Sequence, residues 1–226
     1  MIQEQIREVR EHINQACSRS GRNPEDVTLI AVSKTKPVSM IEEALQSGIL
    51  DYGENKVQEI VDKHEQLPEN LRWHMIGHLQ RNKVRQVVDK VCLIHSVDSL
   101  RLAEQIETEA ARLGITSDIL LEVNVAREES KYGFFMEEIG QAVETIRHFP
   151  HIKIRGLMTI APFVENPEEN RCIFKKLYDL SVDMKSKNID NVTMSVLSMG
   201  MTNDYEVDIE EGATMIRVGT GIFGTR

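Results

Sequence analysis

Short runs of β-branched and apolar residues alternate along the chain with longer stretches whose apolar positions recur every three or four residues. The short runs predict strands at 27–34 (VTLIAVSK), 51–54 (DYGE), 72–76 (RWHMI), 91–97 (VCLIHSV), 118–124 (DILLEVN), 152–160 (IKIRGLMTI), 193–197 (TMSVL) and 215–218 (MIRV). Between them, the spacings Ile41-Ala44-Leu45, Leu100-Ala103-Ile106-Ala110 and Ile173-Leu177-Leu180-Met184 give helices with one apolar face. Ser39, Asp98 and Asn166-Pro167 stand where helices begin, and Gly48 and Gly114 where they stop. The N-terminal MIQEQIREVREHINQA adds an amphipathic helix ahead of the first strand.

Eight strands with intervening helices and an extra N-terminal helix predict an α/β fold, a closed (β/α)8 TIM barrel, as a single domain over 1–226. A doubly wound open sheet alternates in the same way, but no GxGxxG follows the first strand. In a barrel the C-terminal ends of the strands gather on one face, and chemistry is sought there.

Composition narrows the class. The 226 residues are 41% hydrophobic and 28% charged, and 27 Lys+Arg against 36 Asp+Glu leave a net charge of −9. That balance argues against nucleic acid and anionic membranes as partners. There is no run of eighteen apolar residues and no secretory signal pattern. Cys17, Cys92 and Cys172 are far apart and form no CxxC, which excludes a disulfide scaffold and a recognisable zinc site. A cytoplasmic globular protein is expected.

The first strand runs into Ser33-Lys34-Thr35-Lys36-Pro37. Strand alternation puts Lys34 on the face of Ile30 and Val32, so if these point inward Lys34 stands at the barrel mouth. Desolvation there favours a neutral amine suited to Schiff-base chemistry. The plain alternative is that Lys34 and Lys36 are solvated loop lysines. Two small-residue loops close the chain, SMGMTND (198–204) and GTGIFG (219–224), where barrels commonly hold phosphate. Glycine lets the backbone approach an anion, and Ser198 and Thr220 offer hydroxyls; ordinary turns at helix starts are the alternative.

Arg217 lies within the eighth strand, where a guanidinium needs a partner: a carboxylate, or the ring nitrogen of a pyridine cofactor. Asn55 ends the second strand and either meets a ligand hydroxyl or caps the next helix. His74 is read as a barrel-mouth residue. With His78 it is four apart, but Gly77 intervenes and the first His is in a strand, so no metal site is expected. Arg81, Lys83 and Arg85 read as a solvated helix face, and Lys131 as a loop lysine able to meet a phosphate.

A lysine after strand one, Asn55 after strand two, an arginine in strand eight and two phosphate loops describe a pyridoxal-phosphate site. Here the sequence resembles the pyridoxal phosphate homeostasis proteins, the alanine-racemase N-terminal-like barrels. The matching segments are AVSKTKP (31–37), YGENKVQE (52–59), WHMIGHLQRNK (73–83), SKYGF (130–134), RGLMTI (155–160), LSMGMTND (197–204) and IRVGTGIFGTR (216–226), in order over nearly the whole chain. The resemblance implies that Lys34 is the Schiff-base lysine. It places Ser198, Met199, Gly219 and Thr220 at the phosphate, Arg217 at the pyridine nitrogen and Asn55 near the ring; His74, as a barrel-mouth residue, is expected near the cofactor. His78 departs from the proline common in that family.

An arginine at the pyridine nitrogen keeps the ring unprotonated and weakens carbanion stabilisation. The racemases resembled here carry a second, β-rich domain with a tyrosine base, and the chain ends at Arg226 without room for one. Lys34 is the one clear base, whereas a racemase needs two. The expectation is a pyridoxal 5′-phosphate binder in vitamin B6 and amino-acid homeostasis, without efficient turnover, monomeric, with pyridoxal-phosphate-dependent apoenzymes as possible recipients. The competing readings are a weak amino-acid racemase and a Schiff-base aldolase acting on a sugar phosphate.

Overall fold

The computed structural model describes residues 1–225; Arg226, the last residue of the 216–226 motif, lies outside the described residues. Eight parallel strands close on themselves in sequence order. They are β1 (Thr28–Val32), β2 (Asp51–Glu54), β3 (Arg72–Met75), β4 (Leu93–Val97), β5 (Ser117–Glu122), β6 (Ile152–Met158), β7 (Val192–Met201) and β8 (Met215–Val218). The fold is a (β/α)8 TIM barrel, as the alternation predicts.

Helices α1 (Ile2–Ser20), α2 (Val38–Leu45), α3 (Val57–His64), α4 (Val84–Val87), α5 (Leu100–Leu113), α6 (Ile139–Ile146), α7 (Arg171–Ser186), α8 (Tyr205–Glu210) and α9 (Thr220–Phe223) surround it. The N-terminal α1 buries Ile2, Ile6, Val9, Ile13 and Ala16, one stripe at helical spacing. It packs on α2, α8 and α9, so it covers the β8–β1 sector that the four-residue α9 is too short to cover. The main apolar core fills the layer between strands and helices, and a smaller cluster of Leu93, Leu120 and Met158 sits apart from it.

Three boundaries differ from expectation for identifiable reasons. β1 stops at Val32, and the chain turns through Thr35 in the left-handed region (φ 63). β7 runs through Ser198, Met199, Gly200 and Met201, which the sequence reading places in a loop. Gly200 (φ 54) sits where the pairing with β8 slips between Met199 and Met201, so a bulge continues the strand. Helix starts also shift. The Ser99 hydroxyl, not Asp98, accepts from the Leu102 N–H, and α2 begins at Val38, one residue before Ser39. Asn166 caps the turn ahead of α7, and Gly114 (φ 65) ends α5, as expected.

Candidate functional site at the barrel mouth

Strand alternation decides what faces the interior. A Cβ on Gly53 would come within 3.0 Å of Ile30 Cγ2 and 2.9 Å of Ile76 Cδ1, so β1 and β2 direct Ile30 and Gly53 inward. Lys34 follows in the same parity, half-buried in the turn past β1, and its Nζ has no hydrogen bond among the described residues. Lys36 has a different task. Its Nζ donates to the carbonyls of Phe223, Gly224 and Thr225, each at 3.1 Å, and ties down the segment after α9.

On the adjoining strand β8, paired with Ile30 of β1, Arg217 is buried, with 4% of its surface exposed. Nη2 donates to the Thr159 carbonyl at 2.9 Å and Nη1 to the Ser198 hydroxyl. Among the described residues no carboxylate pairs with it, so the ion-pair alternative drops out. Burial lowers its pKa, but a guanidinium remains charged.

Ser198 continues inward. Its Oγ lies 2.8 Å from His95 Nδ1, His95 Nε2 lies 2.9 Å from His74 Nδ1, and His74 Nε2 lies 3.0 Å from Asp51 Oδ1. Burial, then the charges of His74 and Arg217, hold His95 well below the usual imidazole range, so it is neutral. Burial raises the Asp51 pKa, but hydrogen bonds from His74 and Arg72 outweigh it and keep the carboxyl below its ordinary value. An ionised Asp51 only accepts, which assigns a proton to His74 Nε2. A continuous chain therefore runs from Arg217 through Ser198, His95 and His74 to Asp51, with Arg217 donating to Ser198 at one end and His74 donating to Asp51 at the other. Arg217 is thus hydrogen-bonded to a hydroxyl and a carbonyl, and the buried carboxyl groups of Asp208 and Glu122 act on it only through space.

The arrangement corrects two placements. His74 is not at the mouth; it lines a cavity with Thr28, Asp51, Arg72 and Cys92, at the opposite end of the strands. It reaches Arg217 only through His95 and Ser198. The Ser198 hydroxyl is taken up by His95 and Arg217 inside the barrel rather than offered to a loop ligand. The Met199 side chain is buried in the outer core, which leaves only its backbone for a ligand. Gly219 and Thr220 open α9, and the Gly219 N–H donates to Thr202 Oγ1 at 3.2 Å, joining the two small-residue segments.

Asn55 is exposed past β2. Lys56 holds the cap position of α3 without a side-chain bond, so Asn55 does not cap it. Gly77 is required beside it, because a Cβ there would fall 2.4 Å from the Asn55 carbonyl. His78 stacks on Tyr132 at 3.7 Å and bonds Asp98 at 3.0 Å on the rim, and Lys131 is exposed.

Two residues of the site escape the sequence reading. His95 shares the parity of Leu93, and a histidine inside VCLIHSV was the available signal. Glu122 shares the parity of Leu120 at the end of β5 and is buried. Burial and Asp98 push its pKa up to about 7, against the pull of Arg217 and Lys131.

The family described as "Alanine racemase, N-terminal domain" matches residues 5–226. The pyridoxal phosphate homeostasis protein of Aquifex aeolicus (strain VF5) is 45% identical over 224 residues, covering 99% of this chain and 97% of that one. The chain belongs to the pyridoxal phosphate homeostasis protein family. Within the family, the structure of PipY from Synechococcus elongatus PCC7942 with PLP bound superposes with a TM-score of 0.84 at 33% identity, covering 99% of this chain and all of that one. An alanine racemase from Clostridium difficile 630 shares the fold at 14% identity and a TM-score of 0.73, with 56% of its length covered.

Proposed function

We propose that this protein binds pyridoxal 5′-phosphate for intracellular vitamin B6 and amino-acid homeostasis, with Lys34 as the Schiff-base lysine and without efficient turnover. The observation that carries the reading is Arg217: a buried cation at the barrel interior, held by a hydroxyl and a carbonyl rather than by a carboxylate. Such a donor suits an unprotonated ring nitrogen, which accepts a hydrogen bond. The names of the family relatives and the PLP-bound PipY support the same cofactor.

When bound, pyridoxal phosphate supplies an aldehyde that a primary amine can capture and a ring that withdraws electrons. Lys34 provides the amine. Gly219, Thr220 and the Met199 backbone hold the phosphate; Ser198 contributes by fixing Arg217. Asn55 lines the open side of the mouth. A permanently charged Arg217 cannot pass a proton to the ring, so strong carbanion stabilisation is withheld and the site retains its cofactor rather than turning substrate over. Apoenzymes that need pyridoxal phosphate are the proposed recipients, and the protein acts as a monomer in the cytoplasm.

The test is the visible spectrum of the purified protein mixed with pyridoxal phosphate, followed by borohydride reduction and peptide mapping. A pyridoxyl group on Lys34, absent in Lys34→Ala, is the expected result; no adduct overturns the reading. The racemase alternative draws on one observation, the mouth carboxyl Glu122 with its raised pKa. Loss of optical rotation of an L-amino acid, abolished in Glu122→Gln, would favour it over a carrier.

A further inference from the structure

Among the described residues the Lys34 side chain has no hydrogen bond, yet the backbone on both sides of it is held from behind. Lys63, on α3, is 6% exposed. Its Nζ donates to the Ser33 carbonyl at 2.9 Å, to Glu54 Oε1 at 2.7 Å and to Glu59 Oε2 at 2.9 Å. Ser33 Oγ donates to the same Glu54 oxygen at 2.6 Å, and the Thr35 N–H donates to the same Glu59 oxygen at 2.7 Å. Gly53 faces the interior, so Glu54 points outward, and the whole cluster lies behind the barrel wall.

This arrangement costs stability. A buried ion pair is on balance no better than apolar packing. Glu54 Oε2 is buried without a partner among the described residues, and Thr35 is a non-glycine residue in the left-handed region. A cluster serving the core alone has no need to converge on Ser33 and Thr35, the two neighbours of one lysine.

We propose that Lys63, acting through Glu54 and Glu59, is a positioning residue that fixes the Ser33–Thr35 turn and so presents Lys34 Nζ to the mouth at one angle. The proposal rests on Lys34 being the attachment lysine. Misplacing a reacting group by a fraction of an ångström slows the covalent step and leaves non-covalent encounter alone.

Wild type, Lys63→Met and Glu59→Ala are mixed with pyridoxal 5′-phosphate at 25 °C. The saturating first-order rate of adduct formation and the half-saturating concentration are then read separately by absorbance, with peptide mapping to confirm Lys34 and far-UV circular dichroism to confirm folding. The expected result is a covalent rate lower by about tenfold or more in Lys63→Met, with half-saturation within about twofold of wild type. Glu59→Ala, which removes the Thr35 acceptor at a half-buried position, follows in the same direction by about threefold and carries the test if Lys63→Met does not fold. Folded variants with wild-type rates, or with rate and half-saturation loosened together, overturn the positioning role and leave the proposed function standing. A wild type that forms no adduct on Lys34 overturns both.

Discussion

The Lys34 and Arg217 ends of the mouth are held by opposite means. At the Lys34 end the lysine side chain is loose and its backbone is fixed from outside the barrel by Lys63, held between Glu54 and Glu59. At the Arg217 end the side chain itself is locked, inside the barrel, by a hydrogen-bonded chain reaching through Ser198, His95 and His74 to Asp51. A lysine that must form a bond needs rotamer freedom and an accurately placed stem. An arginine that presents a constant charge needs a rigid head and no carboxylate hydrogen-bonded to it. The two ends therefore differ in what a substitution costs: folding on the arginine side, chemistry on the lysine side.

Cutting the interior chain gives the largest loss of stability. His95→Ala opens a cavity and takes from the Ser198 hydroxyl and His74 Nδ1 their interior partner, a cost of about 3–5 kcal/mol. Urea unfolding measures it, and a change under about 1 kcal/mol would mean that the chain is not a locked unit. Gly200→Ala, at the β7 bulge, comes next. A Cβ there falls 2.4 Å from Asp208 Oδ2 at a positive φ, and Asp208 is buried without room to yield, so about 2–3 kcal/mol is expected. The same substitution at Gly48, left-handed with no atom within 4 Å of its Cβ, serves as the reference: it carries only the φ penalty, about 1 kcal/mol.

Titration offers a smaller probe. Glu122 and Glu54, one at each end, both have pKa values pushed up to about 7 from 4.5. A raised folded-state pKa means that the folded protein holds protons which the unfolded chain has released. The stability linked to each is full below pH 4.5 and is lost as pH rises through about 7. Glu122→Gln removes one share, so unfolding free energy should fall less between pH 5 and pH 8 than in wild type, by about 1–3 kcal/mol. An equal fall in both proteins would place Glu122 in water rather than against Leu120 and Met158.

The barrel was legible because its signal is local: alternation marks the strands, and the parity of Ile30, Val32 and Lys34 anticipates a lysine at the mouth. Arg217 was legible as a charge inside a strand, though not its partners, since Thr159 and Ser198 come from other strands. Glycine hid the true length of β7, because SMGM reads as a loop until the bulge at Gly200 shows the pairing continuing. His74 was misplaced because strand parity gives the face and not the depth. The Lys63 cluster could not be read at all. Glu59 and Lys63 are four apart on a helix and look like a surface pair, and only the packing of α3 against β1 and β2 buries them around Ser33.

The smallest effect on stability is expected at the residue proposed to capture the cofactor. Lys34 is half-buried, and its Nζ bonds to nothing among the described residues. Lys34→Ala therefore removes no hydrogen bond and leaves no buried partner stranded, so its unfolding free energy should stay within about 0.5 kcal/mol of wild type. Yet capture of pyridoxal phosphate should vanish. Lys36→Ala is the control, because it frees the carbonyls of Phe223, Gly224 and Thr225 at the end of α9 and leaves the Lys34 amine in place. It should cost about 1 kcal/mol and retain the adduct. A Lys34→Ala protein that unfolds at clearly lower urea would show that the side chain also supports the mouth, and the division between a loose chemical end and a locked electrostatic end would fail.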